Sequence, residues 1–378
     1  MKLLSLKVSR YRSLRDETIE LSDLNLFIGA NASGKSTILD ALRFLHEGVQ
    51  ERDFRTAVFS RGGIVHLAWK GEDAQQIKLV VSLKDEGRTY EWSVRLTRDG
   101  YEFSVQEEVS ELRPPHAPAH LLSADKGQGW WWSGEKGDRV SLAQFPMTCA
   151  LAAAAADASF PARGLAEFVS RWGFFDPNPF LLRRDWTGLD SSKFDPYGRN
   201  LGERLYVLRE SSPDIFNRIV SATQSVLGLP SKIEPRQSED RDRFYFVQSE
   251  PGLHYPVHQM GVSSGTLRML ALMTALFGEA ETNLIGIEEP ENHVHPTALA
   301  SFAGYLLKAR DRVQILVTTH SPLLLDSLNE PEAVYVVRHT DQEGTRVSRE
   351  SNPKAVHQAL QASGFGLGEF YETKGFGG

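Results

Sequence analysis

Apolar residues in the first 28 positions fall in short runs, Leu3 to Val8, Thr18 to Leu21 and Leu24 to Ile28, divided by polar turns, and this pattern predicts three strands. The third run leads into a glycine loop, after which Ile38, Leu39, Leu42 and Leu45 recur at helical spacing. The local order is therefore strand, glycine loop, helix. Alternating or β-branched runs over Gly63 to Lys84 and Tyr90 to Val105, separated by Asp85-Glu86-Gly87, predict an antiparallel sheet. From Glu111 to Asp138 the chain is rich in Pro, Gly and Trp, with Pro114-Pro115 and Trp130-Trp131-Trp132, and reads as a long loop. Its tryptophans either anchor the loop on its own domain, the commoner arrangement, or offer a stacking surface. Leu142 to Val226 reads as mainly helical, broken at Pro161, Pro177, Pro179, Pro196 and Pro213. After Phe244 strand and helix signals alternate as a parallel sheet requires, and a terminal helix is predicted near Lys354 to Leu360. No internal repeat and no sustained heptad pattern is present.

Composition narrows the class without naming a function. The chain has 378 residues, 41% apolar and 24% charged, which fits an ordinary folded protein and not a disordered, collagen-like or coiled-coil chain. Lys plus Arg number 42 against 49 Asp plus Glu, a net charge of −7, so whole-molecule charge does not draw it to nucleic acid, though a local basic stripe still can. The single cysteine, Cys149, excludes an intrachain disulfide, and lysines interrupt the apolar residues of the start, so a cytoplasmic location is expected. The most membrane-like stretch, Cys149 to Ala156, falls far short of the roughly 20 apolar residues of a spanning helix. No membrane partner is expected.

Chemistry enters at Gly29-Ala30-Asn31-Ala32-Ser33-Gly34-Lys35-Ser36, which matches the phosphate-binding pattern G-x-x-x-x-G-K-[ST] in the right context of strand and helix. Glycines at both ends let the backbone wrap closely enough for N–H groups along Asn31, Ala32, Ser33 and Gly34, and on to Thr37, to face phosphate oxygens at a helix N-terminus. Lys35 would reach the β- and γ-phosphates, and the Ser36 hydroxyl would meet Mg²⁺. A second signal is the apolar run Leu284 to Ile287 ending in Glu288, Glu289 and Pro290. Beside a phosphate loop, Glu288 is the metal-side carboxylate and Glu289 the group that orients or deprotonates an attacking water. A third is Val262-Ser263-Ser264-Gly265-Thr266 ahead of an apolar helix, and a fourth is the strand Ile315 to Thr319 ending in His320-Ser321-Pro322. Taken alone, the third reads as a helix N-cap and the fourth as a structural histidine.

In combination these segments resemble the ATP-binding-cassette type of ATPase, and more closely its soluble branch, which includes SMC heads, RecF and OLD-family ATPases. Gly29 to Thr37, Ser263 to Thr266, Ile287 to Pro296 and Thr318 to Ser321 carry the resemblance, with Val8 to Leu14 similar to the basic-aromatic first turn of that branch. It implies an α/β P-loop NTPase fold, an ABC ATPase head with an N-terminal antiparallel β-subdomain and an inserted helical lid. The chain divides on this reading into 1–105, an N-terminal lobe with the P-loop; 106–243, a loop-rich and helical lid; and 244–378, a C-terminal lobe. It also implies ATP and Mg²⁺ as cofactors and an ATP sandwich. Nucleotide held by one subunit's P-loop is completed by Ser264 and Gly265 of a second, His320 contacts the γ-phosphate, Asn292 lies in the segment crossing the dimer interface, and Arg12 with Ser13 flanks the nucleotide. Two departures stand out: Thr266 replaces the usual second signature glycine, and Glu288 the usual aspartate. The glutamine that links Mg²⁺ to the lid is assigned to Gln144, with Gln106 and Gln128 as alternatives.

OLD proteins add a Toprim nuclease. The D-x-D triplet here, Asp240-Arg241-Asp242, lies in a polar run upstream of the signature, and 58 residues follow His320, so no nuclease of its own is expected. The reading is a slow, homodimeric ATPase acting on DNA in repair or anti-phage defence, with higher oligomers left open. Its alternative is an ATP-gated sensor or scaffold that holds a separately encoded effector, such as a Toprim-type nuclease or toxin. A transporter subunit fits less well, because such subunits carry a fuller Gly-Gly-Gln signature. Basic residues in the lid, Arg171, Arg183, Arg184, Arg199, Arg204 and Arg209, either meet phosphates or form a solvated face among nearly as many acids.

Overall fold

The computed structural model describes residues 1–71, 73–135, 137–185, 193–239, 242–349 and 352–373. The D-x-D triplet at 240–242 lies, but for Asp242, outside the described residues. In chain order the strands are β1 (Lys2–Tyr11), β2 (Leu14–Glu20), β3 (Leu24–Ile28), β4 (Gln76–Asp85), β5 (Arg88–Asp99), β6 (Glu102–Leu112), β7 (Ala119–Asp125), β8 (Gln128–Ser133), β9 (Asp138–Ala143), β10 (Trp172–Phe175), β11 (Lys232–Gln237), β12 (Phe244–Ser249), β13 (Val257–His258), β14 (Leu284–Glu288), β15 (Gln314–Thr319), β16 (Val334–Thr340) and β17 (Gly344–Arg349). The chain forms two compact units. The first holds Met1–Asn25, Gly29–Trp172 and Tyr335–Arg349; the second holds Leu26–Ile28, Gly173–Val334 and 352–373.

In the first unit the strand order is β16-β17-β2-β1-β4-β5-β6-β7-β8-β9. β1 pairs antiparallel with β2 and with β4; alternation buries Leu6 and Val8 on one face, and Tyr11 is buried beyond Arg10, whose φ of 59° interrupts the alternation. The Asp85-Glu86-Gly87 turn is a two-residue hairpin: Asp85 pairs with Arg88, and Glu86 and Gly87 take φ of 42° and 90°. Positive φ at both central positions matches the right-handed twist of the flanking strands. Helix Lys35–Gln50 carries Ile38, Leu39, Leu42 and Leu45 on its buried side, as the spacing predicts.

Two expectations for this unit are corrected. Ile64, Val65 and Leu67 lie in a one-turn helix, Ile64–Leu67, and not in a strand, because Gly62 and Gly63 at φ 87° and 96° turn the chain just before it. The expected loop from Glu111 to Asp138 is mostly sheet: β6 runs on to Leu112, and β7, β8 and β9 follow. Lys126 and Gly127, at φ 52° and 77°, close the β7–β8 hairpin, while Gly129 lies within β8, where a Cβ would stand 2.1 Å from the Ser123 carbonyl oxygen. Strand alternation then splits the tryptophans: Trp131 is buried edge-on against Phe160 at 5.8 Å, while Trp130 lies under the Arg139 guanidinium and Trp132 is partly exposed.

The first unit also buries a carboxyl group. Glu107 on β6 is 1% exposed; it accepts from Trp92 Nε1 at 3.0 Å, from the backbone N–H of Leu151 at 3.3 Å and from that of Ala150. Burial outweighs these bonds and pushes its pKa up to about 7. Below the ordinary glutamate value the group is protonated in both the folded and unfolded chain. As the pH rises toward 7 the unfolded chain ionises first, and folding weakens by about 3 kcal/mol in total. Denaturant midpoints between pH 4 and 8 should therefore fall more steeply for the native protein than for Glu107→Gln. Equal slopes would show that this carboxyl does not govern the trend.

The second unit has a sheet ordered β10-β14-β15-β3 and a separate one ordered β11-β12-β13. β14 and β15 are parallel in a register from Leu284↔Gln314 to Glu288↔Thr318. All six residues of β15 are buried, as expected for a parallel strand covered on both faces. Helix Ser264–Phe277 is buried from Thr266 onward and is a core helix. Helices Pro179–Leu182 and Pro213–Leu227 place Pro179 and Pro213 in their first turns, so these prolines start helices instead of breaking them. Leu201–Ser211 is helical, and the terminal helix runs Pro353–Ser363. No described helix is long and apolar enough to cross a membrane.

Candidate functional site

β3 lies beside β15 in the second unit's sheet, and the chain passes from Ile28 directly into the loop Gly29–Ser36 of the first unit. The loop coils because Ala32 takes φ 63° and Gly34, the N-cap of helix Lys35–Gln50, takes φ 102°. Sterics fix both glycines: a Cβ on Gly29 would stand 2.2 Å from the Val337 carbonyl oxygen, and one on Gly34 2.0 Å from Thr345 Oγ1. Lys35 is 4% exposed, and its ammonium donates to the carbonyls of Gly29 and Ala30 at 2.9 and 3.0 Å. Asn31, Ala32 and Ser36 are exposed. A chain of hydroxyls braces the loop from behind. Thr345, fully buried on β17, donates to the Ser33 carbonyl at 2.8 Å; Ser13 Oγ is 2.8 Å from Thr345 Oγ1 and 3.1 Å from Thr37 Oγ1. Ser33 Oγ is buried and has no partner among the described residues. A coiled backbone, a helix N-terminus and a buried ammonium on neutral carbonyls together fit a polyphosphate.

Arg12 approaches this loop with φ 50°, donates its backbone N–H to Leu67 O at 2.7 Å and reaches Asp40 at 3.1 Å. Asp40, one turn into the P-loop helix, also accepts from the Tyr11 hydroxyl at 2.6 Å and from Arg61 Nε at 2.9 Å. Burial, and then the Asp40 charge, raises the Tyr11 pKa, so this phenol stays a hydrogen-bond donor.

The second unit holds the other group. Glu288 ends β14, and Glu289 follows at φ 42°, its N–H donating to Thr318 O on β15 at 2.9 Å. A glutamate in the left-handed region stores strain of the kind found at functional sites. Its carboxylate accepts from Asn292 Nδ2 at 2.9 Å, and His320 Nδ1 is 3.8 Å away. Glu291 organises the histidine: it accepts from Thr319 Oγ1 at 2.8 Å and from His320 N–H at 2.7 Å, and lies 3.1 Å from Nδ1. Arg268, 2% exposed on the signature helix, donates to the carbonyls of Glu288 and Glu289 at 2.9 and 2.8 Å, and also to Pro177 O. The signature helix is thereby tied to the acid-tipped turn. Gly265 is required for close approach, since a Cβ there would stand 2.8 Å from the His293 carbonyl. Ser263 is the N-cap, accepting from Thr266 N–H at 3.2 Å, which leaves Ser264 for other contacts.

Glu289, Asn292 and His320 are thus brought together in the second unit, and Ser13, Ser33, Gly34, Lys35 and Thr37 in the first. The glutamines are not so gathered. Gln144 follows β9 at the far edge of its sheet, exposed, with its N–H on Gly127 O at 2.7 Å; Gln106 bonds Arg95 at 3.1 Å; Gln128 opens β8. Among the described residues none of the three bonds a P-loop residue. Thr345, Glu291 and Arg268 had no role assigned from sequence, although Glu291 sits in the segment already singled out. Among the described residues no cluster of three or more His, Cys, Asp or Glu is poised to hold a metal. Ser36, exposed at the head of the P-loop helix, offers a single hydroxyl, of the kind that suits Mg²⁺ carried largely by substrate phosphates.

Residues 176–326 match the family described as "AAA domain, putative AbiEii toxin, Type IV TA system", and residues 1–91 match "AAA ATPase domain". No curated protein sequence matches significantly. Among solved structures, an SMC head bound to the C-terminal winged-helix domain of ScpA is similar with TM-score 0.59 and 14% identity, over 94% of this chain and all of that one. An SMC head with an extended coiled coil, bound to the C-terminal domain of ScpA and derived from Pyrococcus furiosus, gives 0.54 and 12% over 96% and 99%. The SMC head domain from Thermotoga maritima gives 0.50 and 12% over 93% and 100%. At these identities the structures establish the fold alone, and the two matched families each cover part of the chain. The chain thus has the P-loop ATPase fold of SMC heads, and two of its segments match AAA-type ATPase families.

Proposed function

We propose that two copies of this chain close around ATP and Mg²⁺ and hydrolyse the nucleotide slowly, coupling closure and opening to work on DNA in repair or anti-phage defence in the cytoplasm. The observation that carries the reading is the Glu289 turn: a strained backbone pinned by Thr318 and a carboxylate tethered by Asn292 next to His320. That arrangement suits a base that must hold one water in line with a phosphorus atom. Lys35 and the P-loop N–H groups would grip the triphosphate, Arg12 and Ser13 would flank it, and His320 would meet the γ-phosphate. Ser36 and Glu288 would hold Mg²⁺, with Gln144 as its link to a lid drawn from the segment 106–243, which separates 1–105 from 244–378 in the sequence. The metal would neutralise charge on the phosphates. Ser264 and Gly265 of the second copy would complete the site.

A mixed-chain experiment tests the sharing. Lys35→Ala and Ser264→Arg should each be inactive alone. Their equimolar mixture should recover roughly a quarter of native turnover, because half the dimers are mixed and each has one intact composite site. A mixture that stays inactive would mean that sites are not shared.

The second reading, a sensor that holds a separately encoded effector, is favoured by the toxin–antitoxin description of one matched family and by the ScpA-bound state of two similar SMC heads. Capture of Glu289→Gln with ATP from the native host separates the two readings. A stoichiometric protein companion supports the sensor, and bound DNA with end-stimulated turnover supports the repair enzyme.

A further inference from the structure

Arg183 lies just beyond helix Pro179–Leu182, in the stretch expected to be lid, yet its side chain belongs to the signature. Nη2 donates to Ser264 Oγ at 3.0 Å and to Val262 O at 3.1 Å, and Nη1 to Pro179 O at 3.2 Å. Its backbone is anchored at the same place. Gln259, 1% exposed in the turn before the signature, donates to Arg184 O at 2.7 Å and accepts from Phe246 N–H at 3.0 Å. The acceptors of the Arg183 guanidinium, Pro179 O, Val262 O and Ser264 Oγ, are all neutral, and among the described residues no carboxylate pairs with it. A half-buried cation satisfied only by neutral acceptors retains its charge for an anion. Because Arg183 donates to Ser264 Oγ, the serine accepts there and its own proton is left to donate elsewhere.

We propose that Arg183 is a second trans-acting residue of the ATPase site, reaching the γ-phosphate of the partner copy's nucleotide together with Ser264. This rests on the shared-site reading above. The geometry then leaves little freedom: wherever the Ser264 hydroxyl contacts a phosphate oxygen, a guanidinium bonded to that same hydroxyl arrives within reach of the neighbouring oxygens. Its planar fork suits two of them, and in the transition state it would offset charge gathering on the γ-phosphoryl group.

Arg183→Ala should lower kcat by about 10² or more, while binding of a non-hydrolysable ATP analogue to the single chain, which depends on its own P-loop, should change by less than about threefold. Arg183→Gln keeps donors for Val262 and Ser264, and so the local packing, but removes the charge; it should behave alike, while Arg183→Lys recovers part of the rate. Mixed with Lys35→Ala, the Arg183→Ala chain should regain roughly a quarter of native turnover; mixed with Ser264→Arg, it should regain none, because both lesions lie on one face. Recovery for Ser264→Arg with Lys35→Ala, but not for Arg183→Ala with Lys35→Ala, would overturn the trans role and leave the shared site standing. Failure of both mixtures would overturn the shared site and this role with it. An Arg183→Gln protein turning over at the native rate would also refute the assignment.

Discussion

Glu289→Gln should slow ATP hydrolysis by about 10² or more without weakening ATP binding, and ATP should then hold the protein as a dimer that the native chain forms only transiently. The amide is isosteric and can still accept from Asn292 through its remaining oxygen, so the turn and its bond to Thr318 should survive. What is lost is the capacity to take a proton from water. Since the P-loop is untouched, the loss should fall on kcat. Size-exclusion chromatography with ATP, and single-turnover kinetics on the same protein, read the two halves of the expectation. Native hydrolysis by Glu289→Gln would move the base elsewhere; lost ATP binding would show that the turn itself had collapsed.

How much of this site could be read along the chain depended on how local each part is. A phosphate cradle is built by consecutive backbone N–H groups, so Gly29 to Ser36 was legible as one contiguous pattern, down to the two glycines that have no room for a Cβ. Glu289 and His320 stand out in the sequence because each directly follows an apolar strand. Contacts made across the fold were not. Thr345 braces Ser33 from more than three hundred residues away, and Arg268 satisfies the carbonyls of Glu288 and Glu289 while sitting in an otherwise apolar helix. Nothing in the spacing of those two residues announces a partner. Arg183 looks in sequence like any other arginine of 106–243, and only its hydrogen bonds to Val262 and Ser264 set it apart. In the fold itself, composition misled where turns and strands mix closely. The glycines and tryptophans of 111–138 suggest a loop, whereas Gly127 closes a hairpin, Gly129 lies inside a strand and the tryptophans alternate across it. Ile64, Val65 and Leu67 have strand-like side chains, but two glycines at positive φ set the direction of the chain there.

Lys35→Ala should abolish turnover and weaken ATP binding by about 10² or more, the largest loss expected of any single substitution. The ammonium is buried and already bonded to the carbonyls of Gly29 and Ala30, so the side chain is held where phosphate oxygens would arrive, and binding need not pay the entropy of ordering it. Lys35→Arg should fail as well: a planar fork is wider than the point charge this coil encloses, between one glycine walled by Val337 and another by Thr345. Folding and affinity separate in a thermal shift assay. ATP at a hundredfold excess over its Kd should stabilise the native chain by about 2.7 kcal/mol, whereas the Lys35→Ala chain should melt cooperatively at a temperature that ATP does not move. An undiminished ATP shift in that variant, or unchanged hydrolysis, would remove the phosphate loop from the site and with it the basis for assigning every other residue a role.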